Sequence, residues 1–307
     1  MWVGFTALVA ALLVLDLAVL NRRAHALGMK EAVRWSGGLV LLALLFGLFM
    51  LWREGPRPAL EYYTGYLIEL SLSVDNLFVF ILIFSYFGVP AAARPKVLKW
   101  GILGAIAMRF VMIALGALLL RRFEWIVYLF GAILVLTGAR MLASKHERIE
   151  PERNPLVRLA RRVLPFCSYY DGARFFTRGG RAGRWMATPL LLVVLVVEWS
   201  DLVFAIDSIP AVFAVTRDPF IVYSSNVFAI LGLRALFFVL AGMLDRFVYL
   251  KPGVALILII VGLKMAVSHW VEVPILVSLA VIVTILGSAV GLSIRRTARE
   301  ERVAAAR

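Results

Sequence analysis

Five carboxylates lie where an apolar chain should carry none: Glu69 and Asp75 in one hydrophobic stretch, and Glu198, Asp201 and Asp207 in another. Asn76 follows Asp75 and Ser208 follows Asp207, so each stretch repeats an acid, a six-residue step, a second acid and a small polar neighbour. An ionised carboxylate at a bilayer centre costs roughly 2.5–3.5 kcal/mol on insertion scales, so five left bare would cost on the order of 10 kcal/mol. Such groups persist where they face a polar interior, pair with cations or bind something positive. Type and spacing together point to a cation pathway through a membrane.

Ligand chemistry narrows the cation. The candidate set is Glu69, Asp75, Asn76, Glu198, Asp201, Asp207 and Ser208, with Asn226 as a further polar candidate, and every donor in it is oxygen. Oxygen-only coordination suits Mn²⁺, Ca²⁺ or Mg²⁺ and disfavours Zn²⁺, Cu⁺ and iron–sulfur centres. His25, His146 and His269 fall at span ends or in loops, and the single Cys167 excludes a disulfide framework and a thiolate site. Met108, Met112 and Met141 are scattered and read as packing. Arg109 and Arg234 stand mid-span as charge-balancing cations. One divalent ion plus a proton, or protons alone, would neutralise the remaining acids, which motivates metal/proton exchange. In the plainer reading the two arginines are salt-bridge partners that let the acids be buried.

These residues need a membrane domain to hold them. Mean hydropathy is +0.91, with 62% hydrophobic and 17% charged residues, too apolar for a soluble domain. Nine apolar segments emerge, at 2–20, 36–52, 62–87, 97–120, 124–143, 187–215, 220–244, 253–270 and 273–293. The expected fold is an all-α polytopic membrane protein, one domain over 1–307, with the first segment retained as a helix. Alternate connections and the C-terminus hold 24 Lys and Arg, against five on the opposite side. The bias predicts a cytoplasmic C-terminus and 144–186 loop, an external N-terminus and a bacterial inner-membrane location. It also accounts for most of the net charge of +14, which makes lipid headgroups, not nucleic acid, the partner surface. The 144–186 loop reads as an Arg-rich surface helix followed by a flexible return through Gly-Gly-Arg-Ala-Gly at 179–183. The residues name no protein partner and no prosthetic group.

An internal repeat organises the middle of the chain. Arg109 within Gly104–Gly116 matches Arg234 within Ala229–Ala241, and Gly138-Ala-Arg140-Met141 echoes Gly262-Leu-Lys264-Met265. Residues 62–143 then form one copy and 187–270 the other, flanked by peripheral helices within 1–52 and a last helix at 273–293. Three spans per copy force opposite orientations, the inverted-repeat design of many secondary transporters. Residues six apart on a helix are turned by about 240°, so convergence on one ion needs interrupted helices or a site between several. Pro210 provides an expected break near Asp207. Arg140 and Lys264, near span ends, are expected to snorkel.

The stretch Tyr66-Leu-Ile-Glu69-Leu-Ser-Leu-Ser-Val-Asp75-Asn76-Leu-Phe-Val-Phe resembles the hallmark of the TerC family of integral membrane proteins. So do Ala187-Thr-Pro-Leu, Phe204-Ala-Ile-Asp207-Ser-Ile-Pro210-Ala and Ser225-Asn226-Val-Phe-Ala-Ile-Leu-Gly-Leu-Arg234. The resemblance runs from about Asp16 to Ser288, and the long loop fits the Alx-type branch. It implies export of Mn²⁺, with the seven residues from Glu69 to Ser208 as its ligands, and it carries the older label of tellurium resistance. An acidic cavity offers an oxyanion such as tellurite nothing. The chain is not expected to be an enzyme. An intramembrane aspartyl protease would show Gly-x-Gly-Asp, whereas Asp207 follows Phe-Ala-Ile, and no HExxH motif is present. The rivals are a non-transporting scaffold that assists metallation or assembly of other proteins, with the acids as a fixed metal site, and a pure proton carrier.

Overall fold

The computed structural model describes residues 1–21, 29–123, 125–143, 154–179, 184–240, 249–268, 270–271 and 273–305. Lipid offers a bare peptide group no hydrogen-bond partner, so the apolar segments satisfy their backbones internally as helices. In chain order these are α1 (Trp2–Asn21), α2 (Met29–Glu54), α3 (Pro56–Tyr86), α4 (Arg94–Arg122) and α5 (Ile126–Ala143). After a connecting segment come α7 (Pro189–Phe213), α8 (Pro219–Leu240), α9 (Leu250–Val267) and α10 (Ile275–Ala305). Seven helices among the described residues are long and apolar enough to cross a membrane. The other two expected segments coincide with α1 and α8, whose described apolar stretches, Trp2–Leu15 and Pro219–Leu233, are shorter. The protein is thus a polytopic all-α membrane protein.

Local chemistry sets the helix starts. Proline opens α3, α4 and α7, where its missing N–H leaves no intrahelical bond unmade. Gly55, at φ 96°, reverses the chain between α2 and α3 in a single residue, a conformation that a Cβ disfavours. The interruption expected at Pro210 is absent, and no other breaks the two acid-bearing helices. α3 is helical from Pro56 to Tyr86, and α7 continues through Pro210 to Phe213. Pro210 sits in the final turn, where few intrahelical bonds remain for it to break.

The connecting segment differs from its expected form. α6 (Pro155–Val163) is capped by Asn154, whose Oδ1 accepts from the Leu156 and Val157 N–H groups at 2.9 and 3.3 Å. It is followed by an antiparallel ribbon of β1 (Phe176–Gly179) and β2 (Arg184–Ala187), where a flexible return was expected. Residues 144–153 and 180–183 lie outside the described residues. The segment is tied to the bundle: the Tyr170 hydroxyl donates to the Phe87 carbonyl at 2.7 Å, and Lys96 Nζ to that of Ala173 at 2.6 Å. It marks one end of the bundle, where α3 finishes and α4 and α7 begin.

Packing in the bundle follows pairs. α3 meets α8 as α4 meets α7, α5 meets α7 as α3 meets α9, and α5 packs along α9. Exchanging α3–α5 with α7–α9 turns this set of contacts into itself. The α5–α9 seam is built on small residues from both helices, with Gly131 facing Gly262 and Gly138 facing Ala255. A Cβ on Gly262 would sit 2.6 Å from the Gly131 carbonyl oxygen, and one on Gly138 would sit 2.6 Å from that of Ala255. Small residues permit such approach, which supplies the van der Waals contact that lipid-embedded helices depend on. Gly262→Ala is therefore expected to cost roughly 1–3 kcal/mol by overpacking. Thermal unfolding in detergent checks this, with Gly287→Ala, where a Cβ meets nothing within 4 Å, as the neutral comparison.

Candidate functional site

The middle of the bundle contains a polar knot made by three helices. Glu69 of α3 is fully buried, as is Asn226 of α8, and Arg109 of α4 is nearly so. Arg109 Nη1 donates to Glu69 Oε1 and to Asn226 Oδ1. Asn226 Nδ2 returns a bond to Glu69 Oε2 at 3.0 Å, and the Ser73 hydroxyl reaches Oε1 at 3.5 Å. The carboxylate thus has both oxygens occupied and its charge matched, which is what makes burial of either charge tolerable. The ring joins α8 to α3 and α4 through Asn226. The Ser71 hydroxyl bonds back to the Ile68 carbonyl of its own helix at 2.7 Å and leaves α3 unbroken.

Asp201 of α7 lies beside this knot. It is 4% exposed, and the charges of Arg109 and Glu69 both act on it. Glu198, one turn earlier, is half-buried and lies against Gly104 of α4, where a Cβ would overlap its carboxylate. Asp207 accepts a 2.7 Å hydrogen bond from the Thr137 hydroxyl of α5 and is within the field of Arg140. From Glu198 to Asp207 the helix rises about 13 Å and turns to its opposite face, so α7 carries its three acids as a staggered ladder wound around the helix and not as a cage.

The sequence-derived set therefore separates. The structure brings Glu69, Arg109, Asn226 and Asp201 together and leaves Glu198 and Asp207 on either side of them. Asn76 is buried, and Ser208 is buried with a hydroxyl that has no hydrogen-bond partner among the described residues; Arg109 Nε shares that condition. The side chains of Asp75 and Arg234 lie outside the described residues, as do His25, His146 and His269. Among the described residues no three His, Cys, Asp or Glu side chains gather where they could share one metal ion. Sequence reasoning passed over Gly104 and Thr137. A threonine in the mostly apolar α5, one turn before Arg140, was the available signal for Thr137, and nothing in its local sequence marked Gly104. Lys264 does not simply snorkel: it is half-buried and donates to Ser278 of α10 at 3.0 Å.

A bundle of membrane helices with paired and stepped intramembrane charges defines a class, the polytopic membrane proteins whose buried polar groups do the work. The family profile for the "Integral membrane protein TerC family" matches residues 54–301, and the chain belongs to that family. It is 51% identical over 294 residues to "Uncharacterized membrane protein STKORF319" of Myxococcus xanthus, covering 96% of this chain and 92% of the relative. It is 48% identical over 295 residues to "Putative membrane-bound redox modulator Alx" of Escherichia coli K12, covering 93% and 91%. A Rickettsia felis "Uncharacterized membrane protein" is 40% identical over 285 residues, covering 93% and 94%. No solved structure matches the chain.

Proposed function

We propose that the chain exports a hard divalent cation, Mn²⁺ foremost, from the cytoplasm across the bacterial inner membrane. The observation that carries this reading is the ladder of Glu198, Asp201 and Asp207 along α7, met at its middle rung by Glu69. Oxygen donors spaced along a helix suit an ion that is passed on and not held. Ca²⁺ and Mg²⁺ fit the same donors, and selection among them rests on cavity size and rigidity.

The charge bias orients the path. On this reading the α6 and ribbon end faces the cytoplasm and the N-terminus the outside, with Glu198 nearest the entrance and Asp207 nearest the exit. The self-matching contact set of α3–α5 and α7–α9 supports an inverted repeat, whose meeting plane is where transported ions bind. Protons released from the acids as metal enters would couple export to the proton gradient. The redox role in the name of the Escherichia coli relative finds no dithiol here, since Cys167 is the single cysteine. Redox effects in this chain would act through the metal.

One observation favours the scaffold reading: the best-formed acid, Glu69, is already neutralised by Arg109, and no three acids share a centre among the described residues. Uptake of radioactive Mn²⁺ into everted membrane vesicles separates the two. Transport by the wild type that is lost in Asp207→Asn and steepened by an imposed proton gradient is the expected result. Normally inserted wild type that moves no ion would leave the scaffold.

A further inference from the structure

At the bundle end opposite the ribbon, a cavity of about 300 Å³ opens where α3 begins and α7 and α9 finish. Its polar lining is Arg57, Glu61, Thr216, Arg217, Lys264 and Ser268. Three cations thus face one carboxylate, a net charge of +2 in a small space. The carboxylate is already engaged: Glu61 accepts from Arg57 Nε at 3.2 Å on one oxygen and from the Thr216 hydroxyl at 2.6 Å on the other. The neighbouring acids are turned to other work. Asp218 accepts from the Phe220 N–H at 2.8 Å at the start of α8, and Glu54 pairs with Arg53 at 3.5 Å.

The cations keep capacity to spare. An ammonium has three donors, and Lys264 gives one to Ser278, which leaves two for the cavity it lines. Arg57 gives its Nε to Glu61, which leaves the terminal nitrogens of its guanidinium fork. Leu120, Val127 and Phe213 make up much of the remaining wall behind half-buried Lys264, while Arg57 and Arg217 stand exposed at the mouth. A local surplus of positive charge suits an anion. We propose that this cavity is a binding site for a phosphate-class oxyanion, clasped by Arg57, Arg217 and Lys264, with Glu61 holding Arg57 in place. Guanidinium and ammonium groups converging on one point are the usual means of holding such an anion. The ligand is either a free oxyanion or the headgroup of an anionic lipid, and the proposal stands apart from the transport reading.

The test uses full-length protein in phosphatidylcholine nanodiscs, with inorganic phosphate compared against sodium chloride at equal ionic strength. Ligand that binds only the folded state raises the unfolding midpoint. Phosphate should raise the wild-type midpoint, leave the Arg217→Ala/Lys264→Met double variant unmoved, and act normally on Arg122→Ala, a cation of the same end outside the cavity. Glu61→Gln should enlarge the shift, because it raises the net charge. Native mass spectrometry of protein extracted from phosphatidylglycerol membranes distinguishes the sources. Lipid retained by the wild type and lost from the double variant assigns the headgroup; a phosphate shift with equal retention in both assigns the free anion. Equal midpoint shifts in wild type and double variant, or no dependence on Arg217 and Lys264 with either probe, overturns the site.

Discussion

Arg109→Met should be the most damaging single substitution within the bundle. It leaves Glu69 fully buried with its counter-charge removed and Asn226 as its remaining strong partner. Removing one member of a buried pair typically costs about 3–5 kcal/mol, because the other charge stays desolvated. That is a large share of the 5–15 kcal/mol by which folded proteins are usually stable. The variant is expected to insert poorly, elute as aggregate on size exclusion and unfold early on heating. Arg109→Met/Glu69→Gln should recover most of the loss, since an amide at position 69 has no charge to compensate and can still bond Asn226. A single variant as stable as the wild type would show that the Arg109–Glu69 pair does not hold α3 to α4.

Asp201→Asn should do the opposite: leave the fold standing and stop the traffic. Asparagine is nearly isosteric, and Arg109 retains Glu69, so no orphaned charge is created. What disappears is the middle rung of the α7 ladder, a carboxylate that can meet a cation in a water-poor interior. Loss even of groups that only support metal ligands costs 10–100-fold in affinity, so loss of this carboxylate should weaken cation binding by at least about that much. Everted vesicles should show Mn²⁺ uptake reduced by roughly 100-fold at subsaturating metal, with unchanged protein level and thermal midpoint. Undiminished uptake by a well-folded variant would remove Asp201 from the pathway. Reduced uptake accompanied by unfolding would make it structural.

Much of this was legible along the chain because membranes impose simple rules. A segment of about 20 apolar residues crosses as a helix, and a charge inside it demands an explanation. Glu69, Arg109 and Asp201 were conspicuous for that reason alone. Their partners were not. Nothing in the spacing of Asn226 indicates that its amide closes a ring with Glu69 and Arg109, because α3, α4 and α8 are brought together by packing along their whole lengths. The same blindness hid Gly104, whose missing side chain makes room for Glu198 of another helix, and Thr137, which reaches Asp207 from α5. The break expected at Pro210 of α7 did not materialise, and α3 is unbroken as well. In lipid an unbroken helix keeps every peptide bonded, and Pro210 falls in the last turn, where interruption costs least.

What the sequence alone determined is the set of charges that must be buried and the helices that bury them, together with family membership. Hydropathy is a local quantity, summed along the chain, and it needs no knowledge of neighbours. Only the tertiary structure decided which charges cancel and which remain available. Glu69 is matched by Arg109, Asp207 takes its hydrogen bond from Thr137, Glu198 lies against Gly104 of α4, and the acids of α7 face different helices without closing into a cage. That decision belongs to three dimensions because Coulomb energy and hydrogen bonding depend on distances between helices.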